Sequence, residues 1–356
     1  MNTNKKIFSI SMVKNEEDVI ESFVRYNINI FDGMIILDNG SHDDTLNILR
    51  LLENEGFSLY IFEDENHEFD QFNKRNQLLS KVINEFKADI IVPLDADEFI
   101  ISTNNHNPRK IIENIGSNIL CLVKWKTYVP DFNKNNNNKF IPAKITLSRD
   151  ESLEEFYKVI IPKELIIDYH AILTPGSHDL KYDLKYENLV KRVFTPNLRI
   201  AHFPIRSKDQ TLSKIVVGWI NELHRNDRVV GASFHWENIF NKLKENEEIV
   251  NEDVENFAKE YALNSKVSEV NLYEDPIDLS FCNNLEIIYT KDKVNPISNI
   301  INCFEFLSLT HLNFRKESIN EEKRLKHEIA EYKNSLSWRT TSPIRKIGKF
   351  IRNLRN

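Results

Sequence analysis

The sequence has little cysteine, no long apolar run and no excess of basic charge. Three cysteines, Cys121, Cys282 and Cys303, stand far apart among 356 residues and form no CxxC pair. An odd number of widely spaced cysteines argues against a disulfide framework. We therefore expect reduced thiols, as in a cytoplasmic protein.

The lack of long apolar runs bears on membranes. No stretch approaches the roughly 18 apolar residues that a transmembrane helix needs. The first segment reaches Lys14 and two glutamates before any long apolar run, so its pattern is that of neither a signal peptide nor a membrane span. Any membrane contact is expected to be peripheral.

The lack of a basic excess bears on partners. Lysine and arginine number 47 against 54 aspartates and glutamates, which leaves a formal net charge of −7. The chain as a whole therefore lacks the positive field of a dedicated nucleic-acid binder. Hydrophobic residues at 41% and charged residues at 28% are usual for a folded globular protein.

What the sequence does contain is an alternation of apolar runs and helical segments. Apolar runs at residues 7–12, 34–37, 59–62 and 90–94 are separated by segments with helical periodicity. This alternation predicts an α/β fold with a Rossmann-like, mostly parallel sheet and helices on both of its faces. Ligands of such sheets bind at the carboxyl ends of the strands.

The pattern changes along the chain, without an internal repeat. Short β-like runs between residues 119 and 202 complete the first domain, which we predict to span residues 1–230. Helical periodicity then dominates, and residues 231–315 are predicted to form a helical accessory region. Residues 316–356 are predicted to form a charged helix followed by a basic amphipathic tail. The fold thus ends in a C-terminal helical region.

The strongest chemical motif is Asp95-Ala96-Asp97, which directly follows the fourth apolar run. Two carboxylates one residue apart at a strand end can face the same cleft, and their hard oxygens suit Mg²⁺ or Mn²⁺. Such an ion would bridge the carboxylates and a diphosphate. The alternative for a DxD sequence is a solvated acidic turn, but its place after the fourth strand favours the metal site.

The second motif, Asp38-Asn39-Gly40-Ser41, follows the second apolar run. Gly40 permits a tight turn, and residues 41–44 fit the S-x-x-D form of a helix capping box. Asp38 has no part in that box. A carboxylate at this strand end can accept a hydrogen bond from the base of a nucleotide, although local turn chemistry is the alternative.

Together these segments resemble the family 2 glycosyltransferases of the GT-A fold. The chain has SISMVKNEE, LDNGSHDDT, Lys74-Arg75-Asn76 and LDADEF in the family's order over residues 7–99. The DADEF form, with the later Gly-Ser-His and His-Phe-Pro elements, is most similar to a bacterial subgroup of glycan-building transferases. The resemblance covers roughly residues 5–225. The family usually has a second acidic residue where this chain has Asn39.

The resemblance implies a role for each matching residue. Arg75 would reach the nucleotide as a fork of two donors, the geometry that suits phosphate, with an exposed ion-paired helix residue as the alternative. Asp95, Ala96 and Asp97 would bind diphosphate and metal, and Asp97 is thereby catalytic. The nucleoside would be cradled by Val13, Asn15, Glu16, Asp38, Asn39 and Gly40.

Histidines later in the domain could complete the metal site. His202 follows an apolar run, and a neutral imidazole there could be the third metal ligand. His178 is predicted to bind metal or substrate. An ordinary structural role is the alternative for either histidine. As general base we predict Asp179, with Asp150 and Asp168 as alternatives.

The sequence therefore predicts a metal-dependent glycosyltransferase. It would move a sugar from a nucleotide-sugar, UDP-linked by preference, to a glycan or lipid-linked acceptor, and the resemblance implies inversion at the anomeric carbon. A nucleotidyltransferase is an alternative, but its glycine-rich phosphate loop is missing at residues 12–16. A catalytically silent glycan- or partner-binding protein is another, although it would be expected to lose Asp38, Asp95 and Asp97.

The tail at residues 337–356 carries six basic residues and no acidic one. Ser342 and Pro343 can start a helix whose apolar residues follow spacings of three and four, through Ile344, Ile347 and Leu354. Such a helix suits an anionic membrane surface, which would place a cytoplasmic protein peripherally at the inner face of a bacterial membrane. A docked helix or a solvated basic end is the alternative. No aromatic-rich basic patch supports nucleic-acid binding.

Overall fold

A computed structural model describes nine ranges of the chain. They are residues 4–64, 71–104, 107–134, 136–150, 156–224, 234–245, 247–263, 270–291 and 294–353. The contacts divide the chain into two compact units, residues 1–300 and 301–356. The domain boundaries expected at residues 230 and 315 stay predictions.

The strands lie in the first unit. They are β1 (Ile7–Val13), β2 (Gly33–Asp38), β3 (Leu59–Glu63), β4 (Ile90–Pro93), β5 (Glu98–Ser102), β6 (Ile119–Val129), β7 (Leu147–Arg149), β8 (Tyr157–Pro162), β9 (Ile172–Leu173), β10 (Leu180–Lys181), β11 (Lys191–Phe194), β12 (Leu198–His202) and β13 (Leu272–Glu274). The four apolar runs of the sequence correspond to β1, β2, β3 and β4.

The helices connect and follow these strands. They are α1 (Ile20–Asn27), α2 (Thr45–Asn54), α3 (Gln71–Asn84), α4 (Pro108–Glu113), α5 (Ile141–Lys144), α6 (Lys163–Ile167), α7 (Lys208–His224), α8 (Phe234–Lys244), α9 (Asn251–Glu260), α10 (Pro296–Asn334), α11 (Leu336–Thr340) and α12 (Ser342–Asn353). Short 3₁₀ turns lie at Pro175–Ser177 and Leu184–Tyr186.

The main sheet has a parallel core and an antiparallel extension. Its order runs β13-β7-β6-β8-β4-β1-β2-β3, and β4, β1, β2 and β3 are mutually parallel neighbours. From β8 onward the sheet continues with antiparallel pairs. Strand β12 joins β5 antiparallel and β6 parallel. The predicted α/β class, with a parallel central sheet, is confirmed.

Alternation of apolar side chains places a core on each face of this sheet. In β2, Met34 and Ile36 belong to one buried cluster, whereas Ile35 and Leu37 belong to the other. Helices α1 and α2 contribute to the first cluster and α3 to the second. Because both faces are covered, β1 and β2 are buried at every residue, as expected for central parallel strands.

A buried ionic contact fixes the late segment 288–290 against α1. Glu21 is fully buried, and its carboxylate accepts hydrogen bonds from Arg25 at 2.9 Å and from the backbone N–H groups of Ile288, Tyr289 and Thr290 at 2.8 Å each. These donors satisfy the hydrogen-bonding capacity of the buried carboxylate. The contact brings residues far apart in sequence beside the start of α1.

The turn before α2 differs from prediction. The capping box at residues 41–44 is wrong, because α2 begins only at Thr45. The Ser41 hydroxyl instead accepts a hydrogen bond from the Asn15 N–H at 3.0 Å, and the Asp43 carboxylate accepts from the Thr45 N–H at 3.0 Å. The turn is therefore used to join two loops rather than to cap the helix.

The charged helix predicted over residues 316–336 is longer than expected. Helix α10 runs from Pro296 to Asn334, and the second unit ends in α11 and α12. Among the described residues no helix has both the length and the apolar character needed to cross a bilayer. Residue 354 of the predicted apolar stripe lies outside the described residues. Membrane contact by the tail stays a prediction.

Candidate functional site

The site lies at the carboxyl edge of the parallel strands. Strands β1, β2 and β4 end at this edge, so the residues that follow them lie close together. The Asp95-Ala96-Asp97 turn joins β4 to β5, and the carboxylate of Glu98 closes it by accepting a 2.8 Å hydrogen bond from the Asp95 N–H. The predicted DxD motif therefore occupies the edge at which ligands of such sheets bind.

Asp95 is held between two basic side chains. Its carboxylate accepts from the guanidinium of Arg75 and from the ammonium of Lys158, the latter at 2.6 Å. Arg75 and Lys158 are 4% and 1% exposed. Burial alone would raise the pKa of Asp95, but the charges of Arg75 and Lys158 outweigh burial and lower it well below its usual range. Asp95 is therefore ionised.

Glu98 is a second acidic residue of the same turn, and it is fully buried. Its carboxylate accepts from the indole N–H of Trp125 at 2.7 Å and lies 3.4 Å from the Lys158 ammonium. Burial, together with the neighbouring aspartates, raises the pKa of Glu98 to about 8 despite Lys158. Glu98 thus acts as a support that orients Asp95 and Trp125.

Asp97 lies at the centre of a second group, here called the Asp97 cluster: Asp97, His202, Arg206 and Lys214. One carboxylate oxygen of Asp97 lies 3.2 Å from the Lys214 ammonium, 3.7 Å from the Arg206 guanidinium and 3.8 Å from the His202 ring. Burial works to raise the pKa of Asp97, but the charges of Lys214 and Arg206 work to lower it, and the pKa lies below its usual value. The cluster therefore holds an ionised carboxylate among cations.

Arg206 connects the Asp97 cluster to the first loop of the fold. It is 2% exposed, and its guanidinium donates to Glu16 at 2.8 Å and to both oxygens of Asp18 at 2.7 and 2.9 Å. Burial raises the pKa of Glu16 to about 8, although the charge of Arg206 opposes that rise. Glu16, predicted to bind the nucleotide, is thus brought beside Asp97.

His202 is a buried, neutral imidazole. Its ring stacks on Trp125 at 4.1 Å between centroids, and its Nδ1 has no hydrogen-bond partner. Burial lowers the pKa of His202 to about 3, although the nearby Asp97 carboxylate opposes that change. A neutral imidazole beside a carboxylate is the protonation state that a metal ligand requires.

The residues fit a divalent ion with two protein ligands rather than three. Asp97 and His202 are within reach of one ion, whereas both oxygens of Asp95 are engaged by Arg75 and Lys158. Among the described ranges, no group of three or more His, Cys, Asp or Glu side chains is arranged to hold a metal. Mg²⁺ in proteins is commonly held by one or two side chains, with phosphate and water completing its shell.

Asp38 and Asn39 each offer an unpaired buried atom at the same edge. Asp38 is 2% exposed; one carboxylate oxygen accepts from the Ser41 N–H at 2.9 Å and the other has no partner. Asn39 is fully buried; its carbonyl accepts from Lys74 at 2.7 Å, and its amide nitrogen has no partner. Buried polar atoms without partners are rare in folded proteins, and these two are suited to a polar ligand.

The loops after β1 and β2 are fixed to each other. Asn15, at a φ of 55°, accepts from the His42 N–H at 2.9 Å, and Gly40 turns at a φ of 71°. Val13 pairs with Asp38 across the two strands. The predicted nucleoside-binding residues of both loops are thus brought together at one edge. Their roles stay predictions.

A second turn, at Pro175–Ser177, supports Arg75. The fully buried Ser177 accepts a 2.7 Å hydrogen bond from the Arg75 guanidinium. Gly176 has a φ of 73°, and a Cβ there would lie 2.5 Å from the His178 ring, so the turn requires glycine. His178 is bonded through Nδ1 to the Tyr157 carbonyl at 2.6 Å, and burial lowers its pKa.

The predicted bases lie elsewhere in the contact network. Asp179 accepts from Arg192 at 2.6 Å and from the Leu180 N–H at 2.7 Å. Asp150 accepts a 3.5 Å hydrogen bond from a tyrosine of β13, and the backbone N–H of Asp168 continues helix α6. None of these contacts involves the Asp97 cluster.

Sequence reasoning missed the cations of the site. Lys158 lies in β8, Arg206 lies in the loop after β12, and Lys214 lies in α7. None of the three belongs to a motif. Lys158 did leave a signal, since it is followed in β8 by four apolar residues, which indicates a buried strand. Lysines are rarely buried unless they are paired. Arg206 and Lys214 left none that we can identify.

No protein-family model and no curated protein sequence matches this chain. Solved structures similar in fold include S. aureus TarS 1-349, with 15% sequence identity and a TM-score of 0.35. GalNAc-T7 with UDP, GalNAc and Mn²⁺ has 13% identity and a TM-score of 0.38. The mannosyltransferase PcManGT of Pyrobaculum calidifontis with GDP-Man and Mn²⁺ has 12% identity and a TM-score of 0.37. The alignments cover 62%, 60% and 64% of this chain, and 66%, 47% and 67% of the other chains.

The buried neutral state of His202 predicts a pH dependence of stability. With a pKa of about 3 when folded and 6.5 when unfolded, His202 binds a proton more readily in the unfolded chain, so its contribution is complete above pH 6.5 and is lost as the pH falls toward 3. Between pH 7.5 and 5.5 this residue should remove about 1.4 kcal/mol of the free energy of unfolding.

Urea unfolding of the wild type and of His202→Phe, both with EDTA, measures this effect. Phenylalanine keeps a ring against Trp125 but cannot be protonated. The variant should lose about 1.4 kcal/mol less than the wild type between pH 7.5 and 5.5. The same pH dependence in both proteins would show that His202 is not the group responsible.

Proposed function

We propose that this protein is a glycosyltransferase of the GT-A type that takes a nucleotide-sugar as donor. The observation that carries the proposal is the DxD turn at the carboxyl edge of the parallel sheet, with ionised Asp95 and Asp97 among three buried basic side chains and the partly exposed Lys214. The sequence resemblance to family 2 glycosyltransferases supports it over a nucleotidyltransferase. Retention of these charged residues supports an active enzyme over a silent binding protein.

In this proposal Asp97 and His202 would hold Mg²⁺ or Mn²⁺, with oxygens of the donor diphosphate completing the ligand shell. A divalent ion there would neutralise negative charge on the departing nucleoside diphosphate. In this proposal Asp95 orients Arg75 and Lys158, and its predicted role as a metal ligand stays a prediction.

The chain's own cations would act on the same leaving group. Arg75 is fixed by Asp95 and Ser177, so its guanidinium is pre-oriented and pays little entropy when a phosphate binds. Lys214, a residue of α7, lies 3.2 Å from Asp97. Positive groups that are already in place where charge develops lower the barrier without reorganisation.

The nucleoside would bind where β1 and β2 end. The free oxygen of Asp38 can accept a base N–H, and the free amide of Asn39 can donate to a base carbonyl. One acceptor and one donor suit a base edge that carries an N–H and a carbonyl, as in uracil, thymine or guanine, so the preference for a UDP-linked donor rests on the sequence. The acceptor, a glycan or a lipid-linked sugar, and the inverting outcome rest on the resemblance.

Two carboxylates are candidates for the base that deprotonates the acceptor hydroxyl. Asp179 is the one predicted from sequence. Glu16 is the second. The guanidinium of Arg206 lies between Glu16 and Asp97, and burial raises the pKa of Glu16 to about 8. A carboxylate with a raised pKa is a stronger base, and proton transfer is most efficient when the pKa of the base is near the working pH.

The metal role of Asp97 predicts that Asp97→Asn loses transfer. Several kcal/mol of charge stabilisation would be removed, so activity should fall by more than about 100-fold. Nucleotide with Mn²⁺ should also raise the melting temperature of the wild type and not that of the variant. Circular dichroism checks that the variant is folded. Activity within about threefold of wild type, a barrier change near 0.65 kcal/mol, would contradict the metal role.

The nucleoside role of Asp38 predicts that Asp38→Asn raises the KM for the donor and leaves kcat nearly unchanged. Asparagine keeps the acceptor for the Ser41 N–H and replaces the free oxygen by a donor. Loss of a charge-assisted hydrogen bond of about 1.5–3 kcal/mol corresponds to a KM roughly 10–150 times higher. A fall in kcat at constant KM would instead place Asp38 in the chemistry.

The two candidate bases are distinguished by Glu16→Gln and Asp179→Asn. The variant that removes the base should lower kcat by about 100-fold or more. If Glu16 is the base, wild-type kcat should rise with pH up to about 8, because the carboxylate must be deprotonated to act. That rise should persist in Asp179→Asn and vanish in Glu16→Gln. Full activity in both variants would exclude both residues.

A further inference from the structure

A polar pocket lies beside the Asp97 cluster on the side of the asparagine-rich loop. Its volume is about 390 Å³, and its walls are formed by residues 136–139, by Ile141 and Lys144 of α5, by Asp18, and by Thr290, Lys291 and Val294. Arg206 also lines it, while the same guanidinium lies 3.7 Å from Asp97. Only this guanidinium therefore separates an occupant that touches Arg206 from Asp97 in the proposed reaction centre.

The charge of the pocket is strongly one-sided. Lys139, Lys144, Arg206 and Lys291 line it, against a single carboxylate, Asp18. Asp18 is bonded to Arg206, and Lys291 forms an ion pair with an aspartate outside the pocket. Lys139 and Lys144 are exposed at the wall. Although Arg206 and Lys291 are already ion-paired, the lining residues carry more positive than negative charge, and this excess favours an anionic occupant.

The pocket also contains an unsatisfied hydroxyl. Thr290 is 6% exposed, lines the pocket, and its Oγ1 has no hydrogen-bond partner. Its backbone is fixed by the bond from its N–H to the buried Glu21. A buried hydroxyl without a partner costs about 1–3 kcal/mol, and a ligand group that reached Thr290 Oγ1 would satisfy it.

The asparagine-rich loop is held in place by its own side chains. The amide of Asn136 donates to the carbonyls of Ala143 and Lys144 at 3.0 and 3.1 Å, and the carbonyl of Asn138 accepts from the Phe140 N–H at 2.9 Å. These bonds tie the loop to α5. Lys139 and Lys144 are thereby placed on a fixed wall of the pocket, which limits the entropy lost when a ligand binds.

We propose that this pocket binds a phosphate or sulfate group carried by the sugar acceptor, so that the enzyme acts on anionic glycans. The assignment to the acceptor rests on the glycosyltransferase function proposed above. The pocket lies next to Asp97, whereas the proposed nucleoside contacts are at Asp38 and Asn39 where β2 ends. The pocket's positive charge matches phosphate and sulfate equally.

Binding of small probes tests the pocket independently of activity. Glucose 6-phosphate, inorganic phosphate and glucose are titrated calorimetrically into the full-length protein, with and without saturating UDP. Glucose 6-phosphate should bind and glucose should not, and binding should weaken as salt is raised. Phosphate alone should bind more weakly than the sugar phosphate. Failure of glucose 6-phosphate to bind, or its displacement by UDP, would overturn the acceptor assignment.

Matched variants locate the probe. Lys139→Ala combined with Lys144→Ala should weaken binding by about tenfold or more, a change of about 1.4 kcal/mol. Lys134→Ala is the control, since Lys134 lies in the same loop, pairs with Glu274 and does not line the pocket. Equal binding by the double variant and the control would overturn the proposal.

Thr290→Val separates a ligand contact from a structural one. Valine removes the unpaired hydroxyl at nearly constant volume, so the melting temperature should stay the same or rise while glucose 6-phosphate binds at least about threefold more weakly. Unchanged binding would contradict the hydroxyl's role. If the probe binds as expected but no nucleotide-sugar is ever hydrolysed, the glycosyltransferase function fails and the anion pocket stands.

Discussion

The pairing of buried carboxylates with buried basic side chains is the constraint on which this site depends. Asp97 is 6% exposed, and the partly exposed Asp95 lies beside it. Buried carboxylates cannot stay ionised without opposite charges close by. Lys158, Arg206 and Lys214 meet that need. The strands and helices that bring these cations to the carboxyl edge therefore also determine the site's chemistry.

The same charges link the parts of the proposed reaction. Arg206 contacts Glu16 and Asp18, lies near Asp97 and lines the positively charged pocket. A phosphate bound on either side would change the field at this guanidinium. Donor and acceptor sites that share one cation are expected to influence each other's affinity by a modest coupling free energy. Glu98 and Ser177 hold their partners at fixed distances and thereby limit how far the network can relax.

Much of the fold and part of the site could be predicted from the sequence. The four strands of the parallel core follow from apolar periodicity, and the edge at which Asp38, Asp95 and Asp97 lie follows from the rule that parallel strands end together. The capping box at residues 41–44 was wrong, because Ser41 has a tertiary partner in Asn15 that outweighs the local pattern. The length of α10 was underestimated, because its first half lacks the charge pattern that marked its second half.

The sequence by itself determined the α/β class, the DxD turn and the residue types that can bind metal and nucleotide, because these depend on neighbours within a few positions. Tertiary structure alone decided that Asp95 orients two cations while Asp97 lies beside Lys214, since those partners are between 20 and 117 residues distant. It also decided that Thr290 and Lys144 line one pocket with Arg206. Packing across such distances depends on how whole strands and helices meet, which no local pattern encodes.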